Sequence, residues 1–240
     1  MNKDHMMRRF VLLLVLLFAC SANAAVIGLG SGTWYTDTLE NNLISQGHSV
    51  TVYNSYDAAT LGGLDVYIQD GNSYFNASLL DSFVFNGGTL IQLPWTFTHN
   101  NYTAATTVIG DRTSYTYGQS NPAITTLDAA SWLLDGVTLP GAGTYTIGRE
   151  IGNLFDPLAS EVLEWADGTA MLGYREYGAG MVVGFNLHLI TSDSNPLNAD
   201  WSNQIIYNAV GGGNVPEPTT LALMGLGLAG FGFARKRKQA

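Results

Sequence analysis

Apolar and polar positions along the chain alternate between short buried-strand runs and helix-period stretches. Residues 25–29 read as a buried strand, and Gly28, Gly30 and Gly32 carry it into a tight turn. Residues 35–46 follow a helical period, with Leu39, Leu43 and Ile44 on one face and Gly47 as the stop. Residues 49–53 and 64–68 predict a second and a third strand, the latter running into Asp70-Gly71. A second helix is expected over 77–85, halted by Gly87-Gly88, and a fourth strand over 89–93. This β-α-β-β-α-β order predicts an α/β domain, a mostly parallel sheet flanked by helices. From residue 96 to about 148 the chain turns polar, rich in Thr, Tyr and Ser and only weakly alternating, which predicts an irregular or β-rich excursion. A hairpin is expected around Asp167-Gly168, and a core strand over 181–185. A closing helix over 198–210 would pack Ile205, Ile206 and Val210. No internal repeat interrupts this plan.

Charge splits the chain into three. Seven of the ten basic side chains sit in the two ends, and residues 25–213 keep only Arg112, Arg149 and Arg175. That stretch holds seventeen of the nineteen acids, so its net charge is −14. Such a surface repels phosphate backbones, which argues against nucleic-acid binding. It suits a soluble exported domain, or one that collects cations. The single cysteine, Cys20, follows the N-terminal apolar run and precedes Ala25, so the domain itself has no thiol, disulfide or thiolate nucleophile.

Lys3, Arg8 and Arg9 precede an apolar run over 10–19, and Ala22-Asn23-Ala24 is a small-x-small cleavage signal. Residues 1–24 therefore read as a signal peptide removed by signal peptidase, the mature chain beginning at Ala25. A rival reading takes Leu17-Phe18-Ala19-Cys20 as a lipid-attachment box, although Phe18 is bulky where such boxes take a small residue. A permanent transmembrane helix is the other alternative, and the apolar run is short for one.

At the far end, residues 211–215 form a Gly-rich linker, followed by Pro216-Glu217-Pro218, an apolar stretch over 219–234 and then Arg235-Lys236-Arg237-Lys238. As a helix the stretch would span about 24 Å, workable for a membrane with polar flanks. The basic cluster would stay cytoplasmic and leave the domain outside. A buried C-terminal helix would not explain four cations directly after an apolar run. The order of these parts resembles the PEP-CTERM sorting signal of Gram-negative bacteria. The resemblance implies that an exosortase processes residues 216–240. It also implies export to the outer surface or matrix of a host that makes exopolysaccharide and biofilm. Because the same tail is appended to unrelated domains, it reports sorting and not activity.

Within residues 25–210, two stretches carry a second resemblance. Residues 83–91, with Gly87-Gly88 between helix and strand, and residues 184–190, ending near His188, are similar to the class I glutamine amidotransferase-like, flavodoxin-like fold. The resemblance places His188 as the family's general base. The nucleophilic cysteine is missing, and Ile190 holds the place of the orienting acid. With two of the three parts missing a pseudoenzyme is expected, and His188→Ala is expected to keep the fold; a serine in place of the cysteine is the alternative, although no Gly-x-Ser-x-Gly elbow occurs. Residues 28–32 imitate a phosphate-binding turn without its third Gly or a Lys, so a plain turn and no cofactor are expected. His48, His99 and His188 are scattered. Asp193 and Asp200, with Asn195 and Asn198, are calcium candidates, with helix capping as the simpler account. Trp34, Tyr35, Tyr53, Tyr56, Tyr74, Trp95, Tyr102, Tyr115 and Tyr117 divide between core packing and faces on which sugar could stack. The expectation is an exported, non-catalytic binding module contacting extracellular polysaccharide. The alternative is a secreted hydrolase of glycans or peptides using His188 and nearby acids.

Overall fold

The computed structural model describes residues 24–31, 36–69, 76–94, 96–98, 103–110, 114–188 and 200–212. Residues 1–23 of the expected signal peptide, the sorting tail, Gly32, Asp70-Gly71, His99, Ile190, Asp193, Asn195 and Asn198 fall outside them, as do Trp34, Tyr35, Tyr74, Trp95 and Tyr102.

Ten strands and four α-helices make up the described chain. Strands β1 (Val26–Gly30), β2 (Ser49–Tyr53), β3 (Val66–Gln69) and β4 (Thr89–Gln92) alternate with helices α1 (Thr36–Ser45), α2 (Ala58–Leu61) and α3 (Ala77–Phe85). After the polar excursion, which contains β5 (Ser114–Ser120), β6 (Ile124–Thr126) and β7 (Thr146–Ile151), come β8 (Ser160–Trp165), β9 (Ala170–Tyr177) and β10 (Gly180–Phe185). Helix α4 (Asp200–Gly212) closes the domain. Eight strands form one sheet in the order β2-β1-β3-β4-β10-β9-β8-β6. The pairs from β2 across to β10 are parallel, and those from β10 out to β6 are antiparallel. The α/β class and mostly parallel sheet are therefore observed.

Helices cover both faces, and strand periodicity feeds each. In β3, Val66 and Ile68 pack on the α1 and α4 side, while Tyr67 points to α2 and α3; in β10, Val183 and Phe185 oppose Val182 in the same way. Strands buried on two faces read as unbroken apolar runs, which is why β1, β3, β4 and β10 stood out.

Two expectations are corrected. Ile44 does not share the buried face of α1: Leu39 and Leu43 are fully buried, whereas Ile44 is 48 % exposed. Leu39 and Leu43 lie four residues apart on one face, and the next residue turns about 100° away. The linker also begins later, because α4 runs through Gly211 and Gly212. A side-chain carbon at 212 would fall 2.0 Å from the Trp132 ring, so a glycine lets the helix end close on that indole.

Candidate functional site

His188 follows β10 at the carboxyl edge of the parallel sheet, the edge where open α/β folds place ligands. Its backbone N–H donates to the Gly148 carbonyl at 2.7 Å, and the two residues form a bridge. Through this bridge the segment 186–188 carries the main sheet onto the two-stranded β5–β7 ribbon. Strand β5 pairs antiparallel with β7, with a bulge: Tyr117 and Gly118 together oppose Gly148, between the Thr116–Arg149 and Gln119–Ile147 pairs. Bulges of this kind bend a strand and re-aim a side chain. Here the Tyr117 ring stacks on the His188 ring, centroids 4.8 Å apart and planes 27° apart. A side-chain carbon at 148 would sit 2.8 Å from Tyr117 Cδ1 and 3.1 Å from His188 Cβ, so Gly148 leaves the room the stack occupies. The result is an imidazole only 1 % exposed beneath a tyrosine 37 % exposed.

One pair further along, β7 meets Asn186. Glu150 donates its N–H to Asn186 Oδ1 at 2.9 Å, and Asn186 Nδ2 donates to the carbonyls of Glu150 (3.1 Å) and Ala170 (2.9 Å). Asn153 Nδ2 donates to Glu150 Oε2 at 3.2 Å and to the Gly110 carbonyl at 2.7 Å. Glu150, Asn153 and Asn186 are all fully buried. A buried carboxylate needs donors, and Asn153 is one of them. Gln69 and Gln92, closing β3 and β4, are buried at the same edge, and Gln92 Nε2 donates to the Thr106 carbonyl at 2.9 Å. Asp81 on α3 fixes this covering loop by accepting from the hydroxyls of Thr103 (2.9 Å) and Thr106 (2.8 Å). Arg175 holds the loop from β9, donating to the Ala104 carbonyl and lying 3.5 Å from Asp156.

Beside the site, Arg149 is 6 % exposed and forks onto Asp167 at 3.1 and 2.6 Å, with its guanidinium 5.3 Å over the Trp165 ring. Burial works to raise the Asp167 pKa, but the hydrogen bonds and charge of Arg149, with help from Thr169, hold it below the ordinary value.

Of the residues singled out from sequence, His188 and Tyr117 are brought together. A general base must reach its proton at about 2.6–3.2 Å, and any substrate would have to displace Tyr117 to reach this ring. The expectation that His188→Ala spares the fold is revised, because the ring is core. Asp200 opens α4, where a carboxylate favours the helix dipole. Among the described residues, no group of three metal-ligating side chains forms. Tyr56 is core, packed edge-on against Tyr67 at 5.0 Å and accepting the Asn76 N–H at 3.0 Å. The Ser31 N–H is taken by the Tyr53 carbonyl at 2.8 Å, so the glycine turn spends that donor on β2 and not on a phosphate. Sequence reasoning missed Glu150, Asn153 and Asn186. A signal was present: Arg149-Glu150 is the sole charged pair in an uncharged, alternating stretch. A cleft of about 350 Å³ opens at the opposite edge, lined by Leu61, Leu64, Asp65, Phe83 and Thr89. It faces the amino ends of the strands, away from His188 and from the ligand edge of such folds.

Residues 214–238 match the PEP-CTERM protein-sorting motif. The motif marks an exported protein, processed at the membrane by an exosortase. No curated protein matches the sequence. Among solved structures, Cytoplasmic Protein STM1381 from Salmonella typhimurium LT2 superposes with a TM-score of 0.59 at 11 % identity, over 77 % of this chain and 97 % of that one. A beta-galactosidase from Rahnella sp. R3 superposes at 0.53 and 14 % identity, over 81 % of this chain and 32 % of its own. A glutamine amidotransferase from Thermotoga maritima reaches only 0.45, at 11 % identity over 70 % and 77 %. The first two likenesses establish a shared α/β fold and transfer no chemistry. The third is too distant to add to the fold argument.

Proposed function

We propose that the exported domain is a non-catalytic binding module for neutral polysaccharide. In this reading signal peptidase releases the chain after Ala24, and the 219–234 segment anchors a precursor until exosortase acts. The domain then resides at the outer surface or in the matrix of a Gram-negative bacterium. The observation that carries the reading is the face of β5. Tyr115 is 50 % exposed and packs edge-on against Tyr117, centroids 5.6 Å and planes 74° apart. The strand around them, Ser114–Ser120, has no charged side chain. Flat aromatic faces among hydroxyl and amide groups suit the apolar faces and hydroxyl edges of sugar rings. The net charge of −14 over residues 25–213 disfavours anionic polymers and leaves neutral ones. Co-sedimentation of the exported protein with insoluble neutral polysaccharide tests this. Wild type is expected in the pellet, and Tyr115→Ala to bind about tenfold more weakly, the loss of one exposed aromatic contact. Equal retention of the two proteins, or none of either, would remove the proposed face.

A second reading, a secreted hydrolase, draws on one observation: a buried carboxylate, Glu150, and a buried imidazole, His188, lie on paired segments at the ligand edge. It requires Tyr117 to move as a lid. Hydrolysis of a glycan or peptide that is abolished in both His188→Gln and Glu150→Gln would establish it.

A further inference from the structure

The first residue of the expected mature chain is not a loose end. Ala25 is 1 % exposed, and its backbone nitrogen donates to His48 Nδ1 at 3.1 Å. The next nitrogen, of Val26, donates to Asp65 Oδ2 at 2.7 Å. The carbonyls are held as well: Ser49 donates to the Ala25 carbonyl at 3.0 Å and Asp65 to the Val26 carbonyl at 2.9 Å. Two side chains from different turns, one before β2 and one before β3, thus converge on the point where the chain would be cut. From standard backbone dimensions, the Asp65 carboxylate lies within about 6 Å of the Ala25 nitrogen.

We infer that His48 and Asp65 form a docking site for the α-ammonium group that signal-peptide removal creates at Ala25. This rests on the processing reading above. Cleavage of the Ala24–Ala25 bond by water turns an amide N–H into an –NH₃⁺ at the same nitrogen and gives Ala24 the carboxylate. One hydrogen keeps the bond to the unprotonated His48 Nδ1. The new positive charge faces Asp65, an opposite charge within the range where attraction is felt. Burial lowers the His48 pKa, which keeps its ring neutral and able to accept. A chain starting one or two residues earlier would carry its charge out into solvent, past the site. The fold therefore recognises a correctly processed start.

Composition makes the test clean. Residues 25–213 contain no Lys, so the Ala25 α-amine is the sole primary amine of the domain, and Lys236 and Lys238 report on the tail where it is retained. The chain exported through its own signal peptide would be sized by intact mass, then treated with an acetylating N-hydroxysuccinimide ester at neutral pH. The docked amine is expected to react at least about tenfold more slowly in the folded protein than in urea, while Lys236 and Lys238 show no such difference. His48→Ala should raise the folded rate several-fold. Asp65→Asn, which keeps an acceptor for the Val26 N–H and removes only the charge, should raise it too, covering the case in which His48→Ala does not fold. An Ala25 start with equal rates folded and unfolded, or with neither variant faster, would overturn the docking site alone. A mass that places the start elsewhere, for instance at a lipidated Cys20, would overturn the processing reading and the docking site with it.

Discussion

Removing the His188 ring leaves a void beneath Tyr117, and removing Tyr117 opens His188 to water. A stacked aromatic pair adds about 0.5–1.5 kcal/mol beyond its burial. Chemical denaturation of Tyr117→Ala, His188→Ala and the double variant should show a coupling of that size, with each single change destabilising by about 1–3 kcal/mol. Additive effects would mean the stack is incidental. The Arg149–Asp167 pair gives a pH signature. The Asp167 carboxyl titrates lower in the folded chain than in the unfolded one. Its contribution is therefore present above the ordinary aspartate range and is lost as pH falls through the folded pKa, below about pH 4. Thermal melts across pH 2–7 should show that acid loss diminished in Asp167→Asn. The variant itself should lose on the order of 1–2 kcal/mol near neutrality, less than for a buried pair because Asp167 is 40 % exposed. At this scale the sequence is an uneven guide. The family resemblance singled out His188. The isolated Arg149-Glu150 pair marked a place in the sequence, but the roles of Glu150 and Asn186 come from a pairing across 36 residues.

Elements with local causes were the legible ones. Helix α3 was expected over 77–85 and is observed there, since Asn76 caps it by accepting the Leu79 N–H at 3.2 Å and Gly87, at φ 111°, ends it. The strands of the parallel core announced themselves as apolar runs for the same kind of reason. Strands β5, β6 and β7 did not, because their partners are distant and their outward faces are polar: β5 pairs with β7 beyond an intervening strand, and β6 joins the sheet edge through β8. The one-turn helix α2 was also missed, being four residues long. The strongest prediction at this scale concerns where β10 starts against the end of α3. A side-chain carbon at 180 would lie 2.2 Å from the Val84 carbonyl oxygen and 2.3 Å from that of Gly88, both backbone atoms that cannot step aside. Gly180→Ala should cost about 1–3 kcal/mol or more in urea unfolding, while Ile44→Gln on the exposed side of α1 should stay within about 0.5 kcal/mol.

For the whole molecule, two basic, apolar ends flank an acidic domain. Seven of the ten basic side chains lie in those ends, the C-terminal one carrying the sorting motif, and the domain between them keeps three Arg and no Lys. The tail match over 214–238 marks an exported protein processed at the membrane. Replacing Glu217, or deleting Arg235 to Lys238, should leave a heavier, membrane-retained species on fractionation of cells, and normal release of both variants would contradict processing at this motif. The central claim is that the domain binds sugar without breaking it. One experiment addresses both halves: incubation of the exported protein with an end-labelled neutral oligosaccharide, following retention of the label on the protein and the length of the labelled chain together. The account predicts saturable retention, weakened in Tyr115→Ala, with chain length unchanged. Progressive shortening of the oligosaccharide that disappears in His188→Gln would contradict it and establish the site beneath Tyr117 as catalytic.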